Sequence, residues 1–314
     1  MSIHPLRQLL EQRRTGQTVG VYSCCSANEF VLRAALLRAK ERGVPALIEA
    51  TANQVDQFGG YIGMTPAQFY GYAHRLAADI GLPECRLILG GDHLGPLTWA
   101  HLPEEEAMAN ARELVRRYAR AGFTKLHLDT SMRLADDDPA APLSDETIAR
   151  RGAQLCRAAE EAWRARATET PGVIAPVYVI GSEVPIPGGA QQEEEALQVT
   201  SPDCLRATIA AFQSAFGEAG LTDAWGRVIA VVAQPGVEFS DAHVIAYDRQ
   251  KAAALTAALK DFPGLVLEGH STDYQTPEHL RLMVEDGAAI LKVGPMLTFA
   301  LREGLVALEH IEGE

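Results

Sequence analysis

The sequence predicts an α/β protein of the (β/α)8, or TIM-barrel, class, and three observations carry that prediction. Short apolar runs recur eight times along the 314 residues, and a stretch of helical periodicity follows each. The runs are too apolar to leave one face to water, which is how a parallel sheet covered by helices reads. Eight such units close a barrel, usually of ~250 residues, leaving room here for long loops. A doubly wound open sheet is the alternative. It usually carries a Gly-rich phosphate turn after its first strand, and "SCCSANEF" at 23–30 is not one.

The elements follow in order. A helix is expected within 1–17, then a barrel over about 18–308, all within one domain, 1–314. Strands are expected at 18–23, 45–51, 86–91, 125–131, 176–183, 228–236, 265–271 and 289–295. Thr65-Pro66 and Thr276-Pro277 each place a capping hydroxyl before a proline at the first helical position. Gln68 stands where it closes a capping box with Thr65.

Lys and Arg number 28 against 41 Asp and Glu, a net charge of -13. That balance disfavours nucleic acid and anionic membranes as partners, while small anions need only a few local cations. No apolar run approaches the ~20 residues that span a bilayer. Five cysteines without a C-x-x-C pair fit a reducing compartment, so a soluble cytoplasmic protein is expected. Adjacent Cys24 and Cys25 read as small core residues at a strand end.

The C-terminal strand ends are where such a barrel keeps its chemistry. They carry Ser23 and Asn28; Glu49, Asn53 and Gln54; Asp92 and His93; Asp129 and Ser131; Ser182 and Glu183; Gln234 and Glu238; Glu268, His270 and Asp273; and Lys292. His93 and His270, with Glu183 on a strand between them, form a ligand set suited to Zn2+ or another divalent metal. Asp92 and His93 are neighbours and would point to opposite faces of a regular strand. A bend at Gly90-Gly91 would turn both to the mouth, leaving Asp92 to move a proton beside the metal. Lys292 suits either phosphate or a buried ion pair. The acidic, Gly-rich "GGAQQEEE" at 188–195 reads as a solvated face or a mobile lid. His4, His74, His101, His127, His243, His279 and His310 are assigned structural roles.

The motifs "LIEATANQVDQFGGYIGMTP", "LILGGDHLGP", "KLHLDTSM", "VIGSEVPIPGG", "VVAQPGVEF", "EGHSTDYQT" and "AILKVGPMLTFALREG" together resemble the GatZ/KbaZ family, the Z-type subunit of class II D-tagatose-1,6-bisphosphate aldolase. The resemblance covers about residues 18–308 and implies the barrel of the zinc-dependent class II aldolases. It implies that Asp92 is the proton-transfer acid and His93 a zinc ligand, with Glu183 and His270 as further ligand candidates, and Glu183 is also a catalytic candidate beside Asp92. Asn28, Glu49, Asn53, Asp129, Ser131, Gln234, Glu268, Asp273 and Lys292 are then candidate substrate contacts. Two departures stand out. The strand-six histidine of the aldolases is missing or replaced, since only Gln234 and Glu238 stand there, and Asn28 stands where Z-type relatives usually have His. The chain also stops at Glu314, where relatives continue.

The resemblance implies a subunit supporting a Y-type aldolase partner in ketohexose catabolism. The residues themselves suit a second reading, metal-dependent retro-aldol chemistry on a ketohexose or its phosphate. An aldehyde that leaves makes an aldolase; one that turns over and re-adds makes a C4-epimerase interconverting tagatose-type and fructose-type sugars. A homo-oligomer is expected. Sugar-phosphate kinase is a third reading, without a G-x-x-x-x-G-K-[ST] loop in its favour.

Overall fold

A computed structural model describes residues 3–184 and 197–313. Eight parallel strands form a closed barrel surrounded by helices: β1 (Val21–Cys24), β2 (Ala46–Thr51), β3 (Leu87–Leu94), β4 (Lys125–Leu128), β5 (Val177–Gly181), β6 (Val228–Val232), β7 (Val266–Gly269) and β8 (Ala288–Val293). Each strand pairs with its successor, and β8 pairs back onto β1 with Val21 opposite Ile290. All eight expected strands are present. Those expected to reach Ser131, Glu183 and Gly236 end at Leu128, Gly181 and Val232, where polar residues leave the ladder for loops. A hairpin of two-residue strands, Glu238–Phe239 and Val244–Ile245, lies outside the barrel and was not expected. Two residues are too few for periodicity to register.

Period two sorts the strands into faces. Outward positions such as Ile48, Leu89 and Leu126 pack into the layer shared with the helices. Inward positions begin as an apolar plug of Leu47, Ile88, Val177, Val179, Val266 and Ile290. One inward step later the same strands offer Glu49, Gly90, Glu268 and Lys292. The barrel interior is therefore apolar below and ionic above. Gly90 belongs to this layer: a Cβ there would lie 2.7 Å from Glu49 Cγ.

The helix Pro5–Arg14 closes the lower end, where Leu6 joins the apolar plug. Buried His4 caps it, Nδ1 accepting from Leu6 N at 3.1 Å. Burial pushes the His4 imidazole down to about 4, against some help from a Thr124 backbone contact. A depressed histidine is neutral when folded and takes up its proton on unfolding. Its stability contribution is therefore complete above pH 6.5 and lost as pH falls towards about 4, by up to ~3 kcal/mol. Urea titrations across that window should show wild type losing stability faster than His4→Asn. Parallel losses in the two proteins would refute the assignment.

The two sequence-read caps are present. Thr65 N donates to Gln68 Oε1 at 2.8 Å, and His279 N donates to Thr276 Oγ1 at 3.2 Å. Among the described residues no helix is long and apolar enough to cross a membrane. The 188–195 stretch lies outside the described residues.

Candidate metal and substrate site

Strand β3 does not stop at the glycines; it runs to Leu94. Gly90 makes room for Glu49, and Gly91 for Tyr118, whose ring would lie 2.7 Å from an added Cβ. The turn happens at His93 itself, with φ at +48°, and pairing with β4 shifts between Gly91 and Leu94. A left-handed backbone at a non-glycine residue costs of order 1–3 kcal/mol and persists only where its surroundings hold it. Here it brings His93 round to the side Asp92 already faces. Gly95 keeps this turn tight, since a Cβ there would sit 1.6 Å from the Asp129 carbonyl oxygen.

Three imidazoles meet at the mouth. Ring centroids lie 4.9 Å apart for His93 and His270, 5.1 Å for His93 and His127, and 5.2 Å for His127 and His270. With Asp92 they form a buried group whose donor atoms all lie within 4.8 Å of one another and can hold a metal ion. His127, assigned a structural role from its place inside a strand, belongs to this group. Glu183 does not. Strand β5 ends two residues earlier, and Glu183 is exposed, accepting from Thr200 Oγ1.

Neighbouring carboxylates orient the rings. His93 Nδ1 lies 2.8 Å from Asp129 Oδ2, and His127 Nδ1 lies 2.9 Å from Asp92 Oδ1. For His93 the contact to an ionised carboxylate assigns the proton to Nδ1 and leaves Nε2 with its lone pair. His127 Nδ1 is also approached by His93 N at 3.2 Å, and its Nε2 is buried with no hydrogen-bond partner among the described residues. His270 Nε2 meets Glu268 Oε1 at 3.2 Å, leaving Nδ1 as its free nitrogen.

Beneath them lies the ionic layer. Lys125 Nζ is 2.7 Å from both Glu49 Oε1 and Glu268 Oε2, all three side chains fully buried. Lys292 pairs with Glu49 and, at 2.9 Å, with Asp92 Oδ2. Both Asp92 oxygens are thus engaged. Burial alone would raise the Asp92 carboxyl, but Lys292 and the histidines hold it well below the usual range. Burial pushes His270 down to about 4. His93 is held above its usual value because Asp92 and Asp129 outweigh its burial. Glu49, Asp92 and Glu268 pair with Lys125 and Lys292 while Asp129 faces His93, so among the described residues of this layer four carboxylates meet two lysines, which favours positive charge on His93 or a bound cation.

Above the group opens a cavity of about 870 Å³, floored by Asp92, His93, His270 and Lys292. Asn28 and Asn53 line it; Asn28 Oδ1 caps the helix Glu29–Arg42, and Asn53 Oδ1 accepts from Thr98 Oγ1. Asp273 lines it too, its Oδ1 holding Gly294 N and Met296 N. Other expected contacts serve the chain itself. Ser131 donates to Asp129 Oδ1, Gln234 Oε1 accepts from Gly236 N and Val237 N, and Glu268 and Glu49 lie in the ionic layer. Cys24 is buried, its thiol pushed up to about 12 by burial, while Cys25 reaches the cavity. An aromatic row on one wall was not foreseen: Phe239 and Tyr274 lie 5.5 Å apart, Tyr274 and Phe299 6.2 Å, each edge to face.

Residues 6–314 match the family described as D-tagatose-1,6-bisphosphate aldolase subunit GatZ/KbaZ-like. A Sinorhizobium meliloti 1021 structure, described as a probable tagatose 6 phosphate kinase, is 49% identical with a TM-score of 0.82. That match covers 93% of this chain and 69% of the other. A fructose-bisphosphate aldolase from Campylobacter jejuni is 14% identical with a TM-score of 0.60, covering 97% of this chain and 79% of the other. The YdjI aldolase of Escherichia coli K12 is 13% identical with a TM-score of 0.55, covering 100% and 88%. Likeness at these last two levels speaks for the fold alone.

Proposed function

This chain belongs to the D-tagatose-1,6-bisphosphate aldolase subunit GatZ/KbaZ-like family, and from that premise we propose that it carries out retro-aldol and aldol chemistry on a ketohexose skeleton with a divalent metal, zinc by its donor set. The convergence of His93, His127 and His270 beside Asp92 carries the proposal. His127 takes the place of the absent strand-six histidine. When bound, the metal would polarise the ketose carbonyl and stabilise charge developing on its oxygen.

The chain's own residues do the rest. Asp129 and Glu268 fix which nitrogen of His93 and of His270 is free, and Asp92 orients the His127 ring. Lys292 and His127 hold both oxygens of Asp92, which keeps it ionised and clear of the ligand set. An ionised Asp92 facing the cavity is in the state to take the C3 proton of a triose ketone in the synthetic direction. In cleavage it returns that proton to C3. The asparagines of the mouth suit sugar hydroxyls.

Aldolase and C4-epimerase share these steps and differ in whether the aldehyde leaves or turns over and re-adds. The cavity volume falls within the range of pockets that enclose a whole ligand, which suits either outcome. The helix Pro295–Glu312 packs Leu297 and Leu301 against the core only partly buried and exposes Leu305, Leu308 and Ile311, which supports assembly with another chain. A Y-type aldolase subunit is the partner the family description supports, and a second copy of this chain is the alternative. Kinase activity has no support in the site's chemistry.

The test is to purify the chain, measure its metal content, and incubate it with tagatose and fructose, free and phosphorylated. Triose products mark an aldolase, the C4 epimer an epimerase, and turnover only after adding a Y-type subunit a supporting role. Within the active protein, Asp92→Asn should keep its metal while kcat falls about 10²–10⁴-fold. Loss of metal in that variant would instead make Asp92 a ligand.

A further inference from the structure

Two neighbouring helices on one side of the barrel carry apolar seams that no described residue covers. In the helix Pro295–Glu312, the stripe that packs Leu297 and Leu301 against the core continues at the same spacing through Gly304, Leu308 and Ile311. Its lower half stands clear, with Leu308 58% and Ile311 70% exposed. The helix Glu29–Arg42 packs beside it. That helix buries Val31, Leu32, Ala35 and Leu36, and on its outer side Phe30, Ala34 and Leu37 form a second stripe. Phe30 is 70% exposed and Leu37 45%. Stripes that recur every seven residues are what two helices need to pack lengthwise.

The charges on the two helices select the partner. Glu29–Arg42 carries Arg33, Arg38, Lys40 and Arg42 against Glu29 and Glu41, a net charge of +2. Pro295–Glu312 carries Glu303, Glu309 and Glu312 against Arg302, a net charge of -2. Arg42, Glu309 and Glu312 form no ion pair among the described residues. One copy of the chain therefore presents both halves of a match. A pair of copies related by a two-fold axis uses the same surface twice, so the acidic helix of each meets the basic helix of the other. A partner of one charge sign would be repelled by one helix of the two.

The levels agree as well. Both helices begin just past a strand end at the mouth and run down the barrel wall. Leu37 and Leu305 lie at nearly the same depth along their helices, and so do Arg42 and Glu309. Apolar therefore meets apolar, and basic meets acidic, when two barrels stand side by side with their mouths facing the same way. The shared face borders the cavity, because Asn28 and Thr298, at the upper ends of the two helices, line it.

We infer that the face formed by Glu29–Arg42 and Pro295–Glu312 joins two copies of this chain into a two-fold dimer, each helix packing on the other helix of the second copy. The inference takes up the second-copy alternative above and is independent of the metal-ketose reading. Sedimentation equilibrium of the purified chain over a range of concentrations should show a dimer. Phe30→Glu and Leu308→Glu change exposed positions, so the helix content and urea midpoint should hold while the dimer dissociation constant rises about tenfold or more. Arg42→Glu and Glu309→Arg should each weaken the dimer, and the two together should recover it, because the exchange restores opposite charges across the seam. If a seam variant fails to fold, the wild-type mass and the charge exchange still decide. A wild-type monomer at every concentration overturns the inference. So does a dimer indifferent to the seam variants, or a pair of charge reversals without recovery. Loss of an added Y-type subunit from Leu308→Glu, with the dimer intact, would assign the face to that partner and overturn it too. None of these results touches the metal site, which the metal content and ketose assays above test separately.

Discussion

His127→Ala should cost the protein its metal. Wild type is expected to bind about one equivalent of Zn2+ or Co2+. Changing a residue that merely orients a ligand typically costs ~10–100-fold in metal affinity, and removing a ligand should exceed that. Competition against a chelating dye measures the constant, and the visible band of the Co2+ form reports the coordination. Glu183→Gln is the informative contrast. Its carboxylate is exposed and engaged with Thr200, so affinity should stay at the wild-type value. The reverse result, with His127→Ala intact and Glu183→Gln impaired, would restore the ligand set read from the strand ends and remove the basis of the proposed site.

Lys125→Met should be the most destabilising single change in the barrel interior. Its ammonium is shared by Glu49 and Glu268 with no exposure at any of the three side chains. Removing one member of a buried ionic set leaves charge that water cannot reach, at a cost of ~3–5 kcal/mol. Domains hold only ~5–15 kcal/mol in total, so the variant should be partly unfolded or aggregate at growth temperature. Adding Glu268→Gln removes one of the stranded charges and should recover part of the loss. Urea unfolding of the single and double variants measures both values. A Lys125→Met protein as stable as wild type would mean the layer is neutralised by other means.

Much of the fold was legible because it depends on local pattern. Apolar runs, helical periodicity and caps at Thr65 and Thr276 are properties of short stretches, and a stretch keeps them wherever it packs. That Asp92, His93 and His270 would come together was legible for a related reason: they stand at the ends of strands on one end of the barrel. His127, which also joins this cluster, was not singled out because it lies inside a strand. The alternation Lys125, His127 held the clue, since both positions face inward. Glu183 was expected in the cluster because its strand was read two residues too long, and it lies outside the cluster.

Composition and local pattern thus determined the eight strands, the enclosing helices and the end of the barrel that bears polar groups, since these follow from burying apolar surface at a period the chain itself displays. Which side chains meet was decided only by closure. The left-handed turn at His93, the partnering of Lys125 with Glu49 and Glu268, and the occupation of a helix start by Asp273 each join residues far apart in the chain. Those contacts depend on barrel register and on room left by Gly90 and Gly95. No local signal encodes a distance between residues that meet only when the sheet closes.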